Sequence, residues 1–237
     1  MRNKSVRYAA KKLQPLILNL MTKEKATGYI KKGTFTNEIV WGHYSYIFPC
    51  MGKRSQQNFK KGMFLFGMVR KDAKNYLNKH SNIRLPKRYA QIEYTNINNL
   101  KILGDVTGTD LNHAYWRIAY NLGIISKHTY TKGLDDKFKS VRLAALSTLG
   151  ADKKYQKIVD GKITNDLMVI KGDEQLQKVY VLIRLTCYKY MYEVKKMLKK
   201  DFLCYKTDAI YYIDTEENRQ LVRNFFKSKD LLMKQLV

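Results

Sequence analysis

The stretch from Glu174 to Lys200 constrains this chain more than any other. It holds neither glycine nor proline, and its apolar residues Val179, Leu182, Ile183, Met191 and Leu198 recur at helical spacing. That pattern requires one long amphipathic helix with a face to bury. Before it, Tyr155 to Ile170 carries a central Asp160-Gly161 pair between β-favouring residues, the signature of a tight hairpin. After it, Phe202 to Ile213 is strand-like on both sides of Lys206-Thr207-Asp208. Thr215 to Phe226 then opens with a Thr, an acidic first turn and Asn218 three residues on, which predicts a further helix. Hairpins alternating with helices predict an α+β protein.

Upstream, Leu100 to Val106 reads as a short strand, followed by a Gly-Thr turn and helices from about Asn112 to Leu122 and from about Asp135 to Leu149. Arg84 to Asn99 is a polar connector with Pro86 and three asparagines, and predicts a boundary between lobes 1–99 and 100–237. The first lobe reads as mainly helical, with helices at Val6 to Met21, Thr22 to Lys31 and about Ser55 to Asn78. The aromatic stretch Ile39 to Phe48 between them fits a strand or a loop.

Charge narrows the partner. The chain of 237 residues holds 45 Lys plus Arg against 20 Asp plus Glu, a net charge of +25. A field of that size draws in polyanions. Residues 1–100 carry 20 Lys plus Arg against 4 Asp plus Glu, so the first lobe is the more basic. Within it Lys53, Arg54, Lys60, Lys61, Arg70, Lys71, Arg84, Lys87 and Arg88 interleave with Phe59, Phe64, Phe66 and Tyr89. This mixture suits neutralisation of a nucleic-acid backbone with base stacking, although those aromatics also fit a core beneath a wet cationic face.

No run of about 18 to 20 uncharged apolar residues offers a membrane span. The apolar stretch Leu13 to Met21 reads as a helix, being too short to span and lacking a small-residue cleavage site. Cys50, Cys187 and Cys204 have no paired short spacing, which points away from disulfides and zinc and toward a reducing, cytoplasmic setting. Heavy Lys and Asn usage with three prolines suggests an AT-rich genome such as that of a phage.

Three segments carry the chemistry. Asp110-Leu111-Asn112-His113-Ala114-Tyr115-Trp116 follows a strand and opens a helix. Arg142-Leu143-Ala144-Ala145-Leu146-Ser147-Thr148-Leu149-Gly150 lies on a helix, and Cys204-Tyr205-Lys206-Thr207-Asp208-Ala209 forms a hairpin tip. In this order they resemble the Asp-x-x-Ser-Leu-Tyr-Pro, Lys-x-x-x-Asn-Ser-x-Tyr-Gly and Tyr-Gly-Asp-Thr-Asp-Ser motifs of family B DNA polymerases. Each alone also fits a plain structural role: Asp110 as a helix cap, the 142–150 stretch as a helix ended by Gly150, and 206–208 as a polar turn.

The resemblance implies a polymerase-palm-like antiparallel sheet with helices, attached to the basic lobe. It implies a template-dependent nucleotidyltransferase using two Mg²⁺ ions and deoxynucleoside triphosphates on DNA, in the company of other replication or phage proteins. Asp110 and Asp208 would be catalytic metal ligands, because two hard cations about 4 Å apart need carboxylates converging from separate segments. Leu111, Asn112, Tyr115 and Arg142 would hold the nucleotide, with Tyr115 selecting the sugar and Arg142 at the triphosphate. Lys206 would join the nucleic-acid contacts. His113 stands in place of Ser, Trp116 of Pro, Leu146 of Asn, Leu149 of Tyr and Lys206 of the first hairpin Asp, all departures from the family pattern. They favour a rival reading, a catalytically inactive palm-derived DNA-binding protein; a two-metal nuclease is the third.

Overall fold

The two expected hairpins, about Asp160-Gly161 and about Thr207-Asp208, both form in the computed structural model of the chain, which describes residues 5–9, 11–33, 36–49, 53–95 and 105–236. The side chains of Val6, Tyr8, Pro49 and residues 53–56 lie outside that description, as does Cys50. The protein is α+β and divides into two units, residues 1–63 with 151–173 and residues 64–150 with 174–237.

The first unit comprises β1 (Ser5–Tyr8), α1 (Gln14–Lys23), β2 (Thr27–Lys31), β3 (Thr36–Trp41), β4 (Tyr44–Pro49), α2 (Lys53–Gly62), β7 (Lys153–Val159) and β8 (Lys162–Ile170), numbered along the chain. Its strands run β1-β4-β3-β2-β7-β8, antiparallel except for the parallel pair β1 and β4. Strand alternation puts Ile30, Ile39, Phe48 and Ile158 on one face, where Ile17 and Met21 of α1 cover them. Asp160 and Gly161 close the β7–β8 turn with φ of 49° and 74°, the left-handed pair that a two-residue hairpin demands. Thr22 Oγ1 donates to the Asp160 carbonyl at 3.0 Å and ties this turn to α1.

The second unit comprises α3 (Phe64–Lys79), β5 (Ile92–Tyr94), β6 (Val106–Asn112), α4 (Ala114–Asn121), α5 (Lys127–Gly133), α6 (Lys139–Ser147), α7 (Glu174–Leu198), β9 (Phe202–Lys206), β10 (Ala209–Ile213), α8 (Glu216–Ser228) and β11 (Leu232–Leu236). Its sheet runs β11-β6-β10-β9-β5, antiparallel throughout. The long helix α7 meets β9 and β10, burying Val179, Ile183, Cys187, Met191 and Val194. Thr215 caps α8, its Oγ1 accepting from the Asn218 amide at 3.1 Å. Asp72 of α3 accepts from the Ser126 amide at 2.8 Å and from Thr129 Oγ1 at 2.6 Å, fixing the start of α5.

The helix expected at about Ser55 to Asn78 forms as α2 and α3, and the stretch Ile39 to Phe48 lies in β3 and β4, whereas the start of the chain departs from expectation. The helix expected at Val6 to Met21 divides into strand β1 and the later α1, and the helix expected at Thr22 to Lys31 is the strand β2. The basic lobe is therefore not mainly helical. The division of the chain also differs from a cut at 99/100, for two reasons. Pairing of β2 with β7 recruits 151–173 to the first unit, whereas α3 packs on α5, α6 and α7 in the second. The Gly-Thr turn expected after Val106 is the interior of β6; the expected strand residues 100–104 and connector residues 96–99 lie outside the described residues. Among the described residues no helix is long and apolar enough to cross a membrane.

Glycine positions give a direct test of this packing. A Cβ on Gly161 would overlap Thr22 Oγ1 and the Leu18 carbonyl, whereas one on Gly42, also at positive φ, would meet nothing within 4 Å. Gly42→Ala is expected to cost about 1 kcal/mol, the left-handed strain alone. Gly161→Ala is expected to cost about 2 kcal/mol more, as a backbone atom must move. Urea-unfolding midpoints measure the difference, and equal midpoints would contradict the docking of the β7–β8 turn on α1.

Candidate active site

Strand β6 places the first carboxylate. Thr107, Thr109 and Leu111 are buried, with Thr109 Oγ1 2.9 Å from the Tyr212 hydroxyl, so Asp110 belongs to the opposite face. Cross-strand partners share a face. The register aligns Lys234 of β11, Asp110 of β6, Ala209 of β10, Lys206 of β9 and Ile92 of β5 in one row across the sheet. Lys206, Lys234 and Ile92 are exposed there, while Asp110 is half-buried.

The β9–β10 turn delivers the second. Thr207 takes φ 61°, and the Asp208 carbonyl accepts from the Leu111 amide at 3.0 Å, which holds the turn against the end of β6. Asp208 thus comes beside Asp110, although 98 positions of chain numbering separate 110 from 208. Burial, and then repulsion from Asp110, push the Asp208 carboxyl up to about 6. The Lys139 ammonium pulls it back down.

Helices supply the surroundings. Tyr115, half-buried on α4, meets the Tyr188 hydroxyl of α7 at 3.2 Å, and its phenol is raised by burial, by that hydrogen bond and by the nearby Asp208. Arg184 donates through Nε and Nη2 to the Tyr188 hydroxyl, both at 3.2 Å. Gln91 accepts from Arg184 Nη2 at 3.4 Å and donates to Thr207 Oγ1 at 3.2 Å, joining the chain of contacts to the hairpin tip. Beneath the turn, buried Cys187 lies with its Sγ 3.5 Å from the Thr207 carbonyl, its thiol pushed up by burial and by Asp208.

Arg142 is 1% exposed. Its Nη1 donates to the carbonyls of Gly133 at 2.5 Å and Asp135 at 3.3 Å, and its Nη2 lies 2.6 Å from His113 Nδ1. The exposed cation of that helix whose charge reaches Asp208 is Lys139, one turn earlier on the same side. Leu111 buries its side chain and commits its amide to Asp208, and Asn112 is half-buried opposite Leu232.

Of the expected residues, then, Asp110, Asp208 and Tyr115 gather at one place, with Leu111 and Asn112 on the adjoining backbone. Lys206 lies on the same sheet face as Asp110. Arg70, Lys71, Arg84, Lys87 and Arg88 are exposed on the same unit, and Lys60 and Lys61 are exposed on α2 of the first unit. The side chains of Lys53 and Arg54 lie outside the described residues. Tyr188, Arg184, Gln91 and Lys139 escaped the sequence reading. Only Lys139 left a signal, a cation three residues before Arg142 on one helix face.

The pair fits a hard divalent cation. Two carboxylates side by side, with Asp208 raised first by burial and then by repulsion from Asp110, supply the kind of oxygen donors such an ion takes. Among the described residues no group of three or more His, Cys, Asp and Glu side chains could hold a metal ion. Comparison of the chain with protein-family models, curated proteins and solved structures finds no match.

The raised Asp208 predicts a pH signature. Its folded pKa of about 6 exceeds the ordinary 3.8, so between pH 4 and 6 the folded state binds more protons than the unfolded one. Stability therefore falls as pH rises through that window. Asp208→Asn removes the penalty and is expected to stabilise the metal-free protein by about 2 kcal/mol at pH 8, allowing for partial solvation, and by nothing at pH 3.5. Urea denaturation at the two pH values checks this; a gain of the same size at pH 3.5 would contradict it.

Proposed function

We propose that the second unit is a template-dependent nucleotidyltransferase resembling the palm of family B DNA polymerases. The observation that carries this reading is the meeting of Asp110, at the end of a strand leading into a helix, with Asp208, at the tip of a hairpin on the neighbouring strand. Nucleotidyl transfer needs carboxylates from separate segments on a rigid sheet. The resemblance implies an antiparallel sheet with helices, and the pairing of β6 with β10 that brings the two carboxylates together is antiparallel.

Asp110 and Asp208 would hold two Mg²⁺ ions, which when bound would favour ionisation of the attacking 3′-hydroxyl and offset charge on the leaving pyrophosphate. The chain's own residues shape the rest. Tyr115, fixed by Tyr188 and Arg184, presents a rigid aromatic edge beside Asp208 and is suited to reject a ribose 2′-hydroxyl. We assign the phosphate-facing cation to Lys139, since Arg142 is buried on two carbonyls and a histidine. Lys206, Lys234 and the exposed arginines and lysines of 70–88 would neutralise the DNA backbone.

A second reading, a palm-derived DNA-binding protein without catalysis, draws on Lys206 and Lys234, which share the row of Asp110. Primer extension with deoxynucleotides and Mg²⁺ separates the two. The first reading expects extension that Asp110→Asn and Asp208→Asn each lower at least about a thousandfold, and a roughly 10- to 100-fold loss of kcat/KM in Lys139→Ala. Unaltered extension in Asp208→Asn would remove the mechanism. Salt-sensitive DNA binding that ignores Mg²⁺, with no extension, would establish the second.

A further inference from the structure

The first unit has no part in the activity proposed for the second, yet residues 1–63 and 151–173 hold 18 Lys plus Arg against 6 Asp plus Glu. Part of this charge gathers on one face of its sheet. Ile30, Ile39 and Ile158 belong to the face that α1 covers, so their strand neighbours Tyr29, Lys31, Glu38 and Lys157 belong to the opposite one. The pairing of β2 with β7 is regular and sets Tyr29 directly across from Lys157. Carried one residue on, the same register sets Lys31 beside Tyr155, which stands between Lys153 and Lys157 on that face of β7. Neighbours on one face of a strand are about 7 Å apart, so three lysines from two adjacent strands surround Tyr155.

Carboxylates do not balance them. Glu38 lies across from Lys31 on β3, but its Oε1 accepts from Ser45 Oγ at 2.5 Å and its Oε2 from the Tyr155 hydroxyl at 3.2 Å. Burial, and then the Lys153 ammonium, hold the half-buried Lys31 below its ordinary pKa, and the opposing pull of Glu38 is smaller. Strand β8 adds one exposed cation, Lys162, and one exposed carboxylate, Asp166, which offset each other. Like charges crowded on a sheet face cost stability, and a bound anion removes that cost. The kind of anion follows from the ring among the lysines. Tyr29 is half-buried and faces Lys157, and an aromatic ring set among cations fits a strand of nucleic acid, the ring taking a base and the ammonium groups taking phosphates. An acidic peptide would answer the charge alone. A broad sheet face does not enter the groove of a duplex as a helix or a two-stranded ribbon does, so the fitting form is single-stranded.

We infer that this face of the first unit is a binding surface for single-stranded nucleic acid, with Lys31, Lys153 and Lys157 on phosphates and Tyr29 against a base. The assignment does not rest on catalysis by the second unit.

Binding of a fluorescein-labelled oligothymidylate to the full chain in EDTA, followed over a range of salt concentrations, tests this with no contribution from metal or nucleotide. Each of Lys31→Gln, Lys153→Gln and Lys157→Gln is expected to lower the slope of log Kd against log salt by about 0.7, and the triple variant by about 2. Tyr29→Leu is expected to raise Kd about tenfold with the slope unchanged, and Tyr29→Phe, which keeps the ring, to bind as the wild type does. Lys153 is exposed, so Lys153→Gln decides the phosphate contacts even where a half-buried position tolerates no change. Photo-crosslinking of a bromodeoxyuridine-substituted single strand, with the peptides mapped by mass spectrometry, is expected to mark residues 27–31 or 153–157. The wild-type salt slope in Lys153→Gln and in the triple variant would overturn the phosphate contacts. Crosslinks confined to residues 64–150 and 174–237 would overturn the surface as a whole. Displacement of the strand by inorganic polyphosphate, phosphate for phosphate, together with wild-type affinity in Tyr29→Leu, would overturn the assignment to nucleic acid.

Discussion

Two like charges held side by side are the constraint on which the second unit turns. A carboxylate taken partly out of water beside another would rather be protonated, and Asp208 shows this in its raised pKa. The backbone prevents escape: the Leu111 amide holds the Asp208 carbonyl, and the β6–β10 register leaves Asp110 no freedom to slide. A shift of one residue would turn Asp110 toward the face that buries Thr109 and Ile210. The arrangement costs stability, and perturbed carboxylates of this kind are more frequent at functional sites than elsewhere.

The neighbours of the pair divide the remaining work by how firmly each is held. Tyr115, Tyr188, Arg184, Gln91 and Thr207 form a continuous run of hydrogen bonds from α4 through α7 to the hairpin tip. The run fixes both the aromatic edge and the turn that carries Asp208. Lys139, by contrast, is exposed and acts through space alone.

Much of this was legible in the sequence because its local signals agreed with the tertiary outcome. Asp160-Gly161 forced a hairpin, Thr215 and its acidic turn forced a helix start, and the unbroken pattern of 174–198 left α7 no alternative. That Asp110 and Asp208 meet was suggested by the resemblance of their segments to the motifs of a known family, since each segment alone fits a plain structural role. The first unit failed to announce itself for the opposite reason. Thr27 to Lys31 is short, and nothing local says that it pairs with Lys153 to Val159, more than a hundred residues away. Non-local pairing overrides the weak helical preference of the region. Arg142 misled differently, since a cation at a motif position looks the same in sequence whether it faces a substrate or two carbonyls.

Lys206 is the departure from the family pattern that bears most directly on the proposed chemistry, and geometry limits its effect. It sits two strands from Asp110, roughly 10 Å at ordinary strand spacing, with Ala209 between. At that separation, in solvent, an ammonium and a carboxylate attract by only about 0.4 kcal/mol before salt screening. Lys234 is directly opposite Asp110, one strand away, yet exposed, which bounds its attraction at about 1 kcal/mol. Neither matches the pull of a doubly charged ion bound directly between two carboxylates. The lysines therefore leave the charge of the pair largely uncompensated while lining the same sheet face with positive charge.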